Sequence, residues 1–196
     1  MITKSIPKTS LPPGDFAIWI IIYVELITFA ALFIGYAFAR RADVELFNQS
    51  QLVLDQRSGF INTLILITSS YFLVKAIGVI KTVDTQRASI LSSRWLLAAI
   101  GLGSSFIVIK IIEFSDKFEQ GINLSTNTFF MFYILLTAFH FMHVLLGIII
   151  LYAVYKKTKI GGYSKQDHRG METGASYWHL VDLLWIVLFP LIYIMR

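Results

Sequence analysis

His179 and Asp182 stand three residues apart in Met171–Arg196, a run that is otherwise mostly apolar, so a helix places them on one face. An acid beside an imidazole can orient it as a general base. No nucleophile or oxyanion-hole pattern accompanies the pair, so a polar link between helices is the expected role. His140 and His143, within Phe139-His140-Phe141-Met142-His143-Val144, share a helical face with Gly147. Imidazole is a common ligand of metals and haem. No carboxylate stands near these two in sequence, so structural hydrogen bonding is expected of them. Glu25 is the one acid in Phe16–Ala39. At mid-depth it could line an ion path, bind a partner, or sit as a neutral acid hydrogen-bonded to a neighbouring helix. Glu172 opens the last run, and Trp178 stands seven residues before Trp185 on the same side.

Polar groups cost a few kcal/mol or more in lipid and usually face protein or water, so the chain must supply helices that shelter these side chains. It is 56% hydrophobic and 15% charged, the composition of an integral membrane protein. Five apolar runs, roughly Phe16–Ala39, Phe60–Ile80, Trp95–Ser115, Thr128–Tyr155 and Ala175–Ile194, are each long enough to cross a bilayer core of about 30 Å. The expected fold is all-α, an integral membrane bundle of five transmembrane helices over residues 16–196. Residues 1–15 form a polar N-terminal segment with Lys4, Lys8 and three of the four prolines. That segment lacks the apolar core of a cleaved signal, so the first helix is expected to be retained. Asp15 is placed to cap it. Between Arg40 and Gly59, the residues Leu46, Phe47, Leu52 and Leu54 predict a short interfacial helix. Small and hydroxyl residues, Thr68-Ser69-Ser70 in the second run and Gly101 to Ser105 in the third, suit close helix packing. Lys110 and Glu113 are expected to pair or to reach the interface.

The chain has no cysteine, which excludes disulfides, thiolate metal sites and cysteine nucleophiles. Its glycines lack a phosphate-loop context, and its basic loops suit anionic lipid and not nucleic acid. No internal repeat points to an inverted-repeat transporter. Setting aside Lys75 and Lys110 inside the runs, ten of the 17 Lys and Arg residues fall on the N-terminal side: Lys4, Lys8, Lys81, Arg87, Arg94, Lys156, Lys157, Lys159, Lys165 and Arg169. Five, Arg40, Arg41, Arg57, Lys117 and Arg196, fall on the other. The positive-inside rule then puts the N-terminus in the cytoplasm and the C-terminus outside.

The motifs together resemble subunit III of the haem-copper oxidases, from Pro13 to Arg196. The family's acid-bearing helix is matched by Val24-Glu25-Leu26-Ile27-Thr28-Phe29, and its Leu-Asn-Thr-like turn by Ile61-Asn62-Thr63-Leu64. Its Phe-His-Gly-x-His-Val motif is matched at residues 139–144, with Phe141 in place of glycine. Its closing motif is matched by Glu172, Tyr177, Trp178, His179, Val181, Asp182 and Trp185. Two N-terminal helices of mitochondrial-type versions are absent, which implies a bacterial five-helix form. Ser176, where oxidase subunits usually have tryptophan, and the run Glu172 to His179 look closer to the subunit-III-like proteins encoded beside respiratory nitric oxide reductases in denitrifying bacteria.

The resemblance implies a non-catalytic subunit in a bacterial inner membrane, with no haem, copper or other metal of its own. Its implied partners are the catalytic subunit I of a haem-copper oxidase, or the large subunit of a nitric oxide reductase, and a phospholipid held in a cleft. By the same resemblance Glu25 is the buried acid of that cleft, with His140, His143, Glu172, His179 and Asp182 as its polar supports and Trp178 beside them. Two other readings stay open: a stand-alone b-type cytochrome using intramembrane histidines, and a small proton-coupled transporter using Glu25.

Overall fold

An α-helix satisfies its own backbone N–H and C=O groups, which is what a chain this apolar needs where water is absent. The computed structural model describes residues 13–82 and 86–195. Lys4 and Lys8 of the N-terminal segment, and Arg196, lie outside the described residues. Six α-helices follow in order: α1 (Phe16–Ala42), α2 (Val44–Gln51), α3 (Gln56–Thr82), α4 (Gln86–Glu119), α5 (Thr128–Lys159) and α6 (Arg169–Phe189). A π-helical turn, Pro190–Ile194, extends α6. There is no strand among the described residues. All but α2 are long and apolar enough to cross a membrane, as the five apolar runs predict.

The helices run past the apolar stretches that announce them. The fourth helix begins at Gln86, well before Trp95, because its polar first turns pack on α3 through small residues. Ala88, Ser89, Ser92 and Ser93 are buried there, and Ser92 Oγ donates to the Ala76 carbonyl at 2.9 Å. Lower down, Ser69 Oγ donates to the Ala99 carbonyl at 2.9 Å, so the hydroxyls of α3 and α4 do join helices. The expected cap at Asp15 is not made: its side chain bonds no N–H of α1. Its carboxylate accepts instead from Thr173 Oγ1 at 3.2 Å, which ties the start of α1 to α6. Asp43 and Asp55 do cap. Asp43 accepts from Leu46 N at 3.1 Å. Asp55 accepts from Arg57 N at 3.0 Å and from Ser58 Oγ at 2.6 Å, and the Ser58 hydroxyl bond chiefly holds its carboxyl below the usual range.

The predicted short helix is α2, but it is more than an interfacial segment. Phe47 and Gln51 are fully buried, Phe47 between the edges of Tyr36 and Phe129. The last helix is the centre of the bundle and α1 its periphery: 61% of the apolar window of α6 is buried, against 17% for α1. Trp178 fixes the centre. A Cβ on Gly103 of α4 would lie 2.6 Å from Trp178 Cη2, and one on Gly147 of α5 2.9 Å from Cε3. The indole therefore sits where two glycines let three helices close together. Gly101 faces open space and takes no part in that packing. At Pro190 the α-helix stops, since proline supplies no N–H and crowds the carbonyl four residues back. The chain widens by one residue per turn, and Met195 N donates to the Pro190 carbonyl at 2.9 Å.

Candidate functional site

The seven side chains picked out in the sequence do not meet in one cleft. They divide into groups between different helix pairs, and this corrects the single-cleft expectation. The first group joins α1 to α5. Glu25 Oε2 lies 3.0 Å from His143 Nε2, with the carboxylate side chain 23% exposed and the imidazole 10%. The other ring nitrogen, Nδ1, is 2.7 Å from the Phe139 carbonyl. A carbonyl only accepts, so Nδ1 carries a hydrogen. The hydrogen between Glu25 and His143 is then the one that the two groups share. Phe29 and Phe139 lie edge-on against the imidazole, with centroids 5.5 and 4.7 Å away, and restrict its rotation. Glu25 is thus a bonded acid with a defined partner on a neighbouring helix.

A second group joins α6 to α3. Asp182 Oδ2 accepts a hydrogen bond from Ser70 Oγ, and His179 Nδ1 stands 3.6 Å from the same oxygen. Asp182 alone makes the expected interhelical polar link, with Ser70 as the partner that spacing cannot name, while His179 stands beyond hydrogen-bond distance on the same helix. A third group lies at the N-terminal end of the bundle. Glu172 Oε1 meets Lys81 Nζ at 2.6 Å and His168 Nε2 at 3.4 Å, while Oε2 accepts from Gly14 N at 3.3 Å. It ties α6 to α3 and to the entry of α1, and plays no part around Glu25.

His140 departs from expectation. It is fully buried, yet among the described residues neither ring nitrogen has a hydrogen-bond partner. The imidazole packs as an aromatic ring, 5.2 Å from Trp185 and edge-on to Phe106 at 5.7 Å. His140 and His143 share a broad face by spacing, but the first turns toward α4 and α6 and the second toward α1. Trp178 Nε1 is also without a partner among the described residues, whereas Trp185 Nε1 donates to Thr63 Oγ1 at 3.0 Å. Among the described residues, no three His, Cys, Asp or Glu side chains gather in a way that could hold a metal ion.

The pair expected of Lys110 and Glu113 forms, as part of a larger bonded group. Lys110 Nζ donates to Glu113 Oε2 at 3.0 Å and to Tyr193 Oη at 2.7 Å. Glu113 Oε1 also accepts from Tyr133 Oη at 2.7 Å and from Tyr193 Oη. The three-residue spacing of Lys110 and Glu113 announces the pair. Nothing local announces the tyrosines, which come from α5 and the π-turn.

The motifs at Glu25, residues 139–144 and Glu172 to Trp185 therefore each occupy a defined place in one bundle, and residues 15–196 match the family described as cytochrome c oxidase subunit III. The chain belongs to that family. It is a multi-pass membrane protein of the subunit III type. Cytochrome c oxidase subunit 3 of Thermostichus vulcanus is 35% identical over 69% of this chain and 64% of its own length. The subunit 3 of Bacillus sp. strain PS3 is 24% identical over 90% of this chain and 83% of its own. An Aeropyrum pernix protein named heme-copper oxidase subunit I+III is 26% identical over 91% of this chain and 22% of its own. The chain thus spans less than two thirds of the length of the Thermostichus and Aeropyrum relatives. The Glu25–His143 contact joins two of the family-like motifs directly, the acid of α1 and the second histidine of α5.

Proposed function

We propose that this chain is a non-catalytic subunit of a respiratory haem-copper complex, seated in a bacterial inner membrane against a catalytic subunit. The observation that carries the reading is the Aeropyrum relative, whose name joins subunits I and III in one chain and which aligns with 91% of this one. The outer side of α1 suits such a neighbour. Ile20, Val24, Ile27, Ile34 and Phe38 form an exposed apolar stripe opposite the buried Ile18, Ile22, Phe29 and Tyr36. A second reading takes the large subunit of a nitric oxide reductase as the neighbour, and the partly exposed Ser176 in α6, in place of the usual tryptophan, favours it.

A phospholipid belongs to the same reading. At the N-terminal end a cavity of about 570 Å³ is lined by Trp19, Lys81, Arg169, Asp15 and Glu172 among others. Lys81 and Arg169 suit a phosphate, Asp15 and Glu172 an ammonium, and an indole is at home at headgroup level. Purification of the tagged chain in mild detergent tests the whole reading. The expected result is a co-purifying haem-copper subunit with retained phospholipid, all of the Soret absorbance belonging to that partner and no copper to this chain. Stoichiometric haem on the chain alone would establish the cytochrome reading instead. Mass spectrometry of the partner, with oxygen and nitric oxide compared as substrates, separates oxidase from reductase.

The orientation follows from the same charges. Lys81, Lys156, Lys157, Lys159, Lys165 and Arg169 lie toward one end of the bundle, with Arg40, Arg41, Arg57 and Lys117 toward the other. A reporter fused after residue 196 is expected to be active only outside the cytoplasm, and one inserted at Lys165 only inside. Cytoplasmic activity of the C-terminal fusion would reverse the assignment.

A further inference from the structure

The group around Lys110 has no part in the function proposed above, and it is built as a recognition site. The Lys110 ammonium is 1% exposed and stands 4.9 Å from the ring centre of Trp185, 5.1 Å from Tyr193, 5.8 Å from Phe114 and 5.9 Å from Tyr133. Four aromatic rings within about 6 Å of a cation, with a carboxylate beside it, are the means by which proteins bind ammonium ligands. Here the ligand belongs to the chain itself. Tyr193, which both accepts from Lys110 and donates to Glu113, is a residue of the π-turn, so the cage closes only when that turn is in place.

The turn needs such a hold. The end of a helix leaves carbonyls without intrahelical donors, and three of these find a side chain from elsewhere in the chain. Tyr36 Oη donates to the Leu191 carbonyl at 3.2 Å, Gln51 Nε2 to that of Ile192 at 3.0 Å and Gln56 Nε2 to that of Tyr193 at 2.8 Å. These bonds tether the backbone of the turn to α1, α2 and α3, while the cage holds its Tyr193 side chain. Glu113 also lines a cavity of about 300 Å³ with Asp55, Ser58, Asp116 and Lys117, which gives the site an approach from that end of the bundle.

We propose that Lys110 is the internal ligand of a primary-ammonium site formed by Glu113, Tyr133, Trp185 and Tyr193, and that its occupancy latches the C-terminal π-turn across the end of the bundle. The latch is independent of which complex the chain joins.

The absence of cysteine gives a clean test. Ile192 is fully buried in the turn, so a single thiol introduced by Ile192→Cys reacts with a maleimide only when the turn opens. In the detergent-solubilised full chain, Lys110→Ala is expected to raise the labelling rate on the order of 100-fold, since one member of a buried ion pair is lost. n-Propylammonium, which replaces the side chain beyond Cβ, is expected to return the rate toward that of the parent. n-Propanol should not do so, and neither should n-propylammonium when Glu113→Gln is also present. Lys110→Met keeps most of the length without the charge and should label fast. It decides the matter if Lys110→Ala fails to fold. Slow labelling of Lys110→Met, or equal rescue by propanol and propylammonium, would show that packing alone holds the turn and would overturn the proposal.

Discussion

Trp178→Ala is expected to be the most damaging single truncation in the bundle, lowering its stability by about 3–5 kcal/mol. The indole is fully buried and wedged between Gly103 and Gly147, so alanine leaves a void between α4, α5 and α6 that none of the three can fill without moving. Lipid tails are as apolar as a leucine side chain, so the loss lies in packing contacts and not in exposure to water. Nor does a hydrogen bond to any described residue contribute, because Nε1 has no such partner to lose. The glycines make the claim specific. Gly147→Leu alone should fail, since even a Cβ meets the indole at 2.9 Å. Placed in the Trp178→Ala background, the same leucine enters the void and should recover part of the stability. Equilibrium unfolding in mixed micelles measures both, and the two substitutions should be strongly non-additive. Additive losses would mean that Trp178 and Gly147 are not a lock.

The spans and the helical class were legible because a bilayer demands about 20 apolar residues whatever surrounds them. The helix ends were not, because the first turns of α4 are held by Ser92 and Ala88 against α3, which hydropathy does not register. Pro190 was visible, but its consequence, a π-turn braced by Gln51 and Gln56, depends on residues brought over from α2 and α3. The candidate site shows the same division. Spacing within one helix gave His179 with Asp182 and Lys110 with Glu113. Contacts between helices, Glu25 with His143, Asp182 with Ser70 and Glu113 with Tyr133, carry no local signal. His140 shows the cost of reasoning from residue type. A buried histidine is expected to hydrogen-bond, and this one serves as an aromatic ring beside Trp185.

Glu25→Ala and Glu25→Gln are expected to differ, and the difference decides what the Glu25–His143 pair does. Glutamine keeps the length and can donate its amide N–H to His143 Nε2, so the α1–α5 contact survives. The alanine variant leaves that nitrogen unpaired beside Phe29 and Phe139, at a cost of about 1–3 kcal/mol. α1 buries little of its surface, and this contact is one of a few polar ties, with those of Tyr36, Arg40 and Asp15, that hold it to the bundle. Loss should therefore appear first as weaker retention of α1 and of any subunit seated on its outer stripe. If the pair is a tether, Glu25→Gln should assemble fully and support turnover close to the parent, while Glu25→Ala should co-purify poorly. His143→Ala should then add little to Glu25→Ala, because the tether is already broken. A proton relay predicts the opposite pattern. Neither Gln nor Ala can carry the shared hydrogen from one group to the other, so both would lose turnover alike while assembly stayed intact. Measuring co-purification and turnover on the same preparations separates the two, and equal, severe loss of rate in fully assembled complexes would refute the tether.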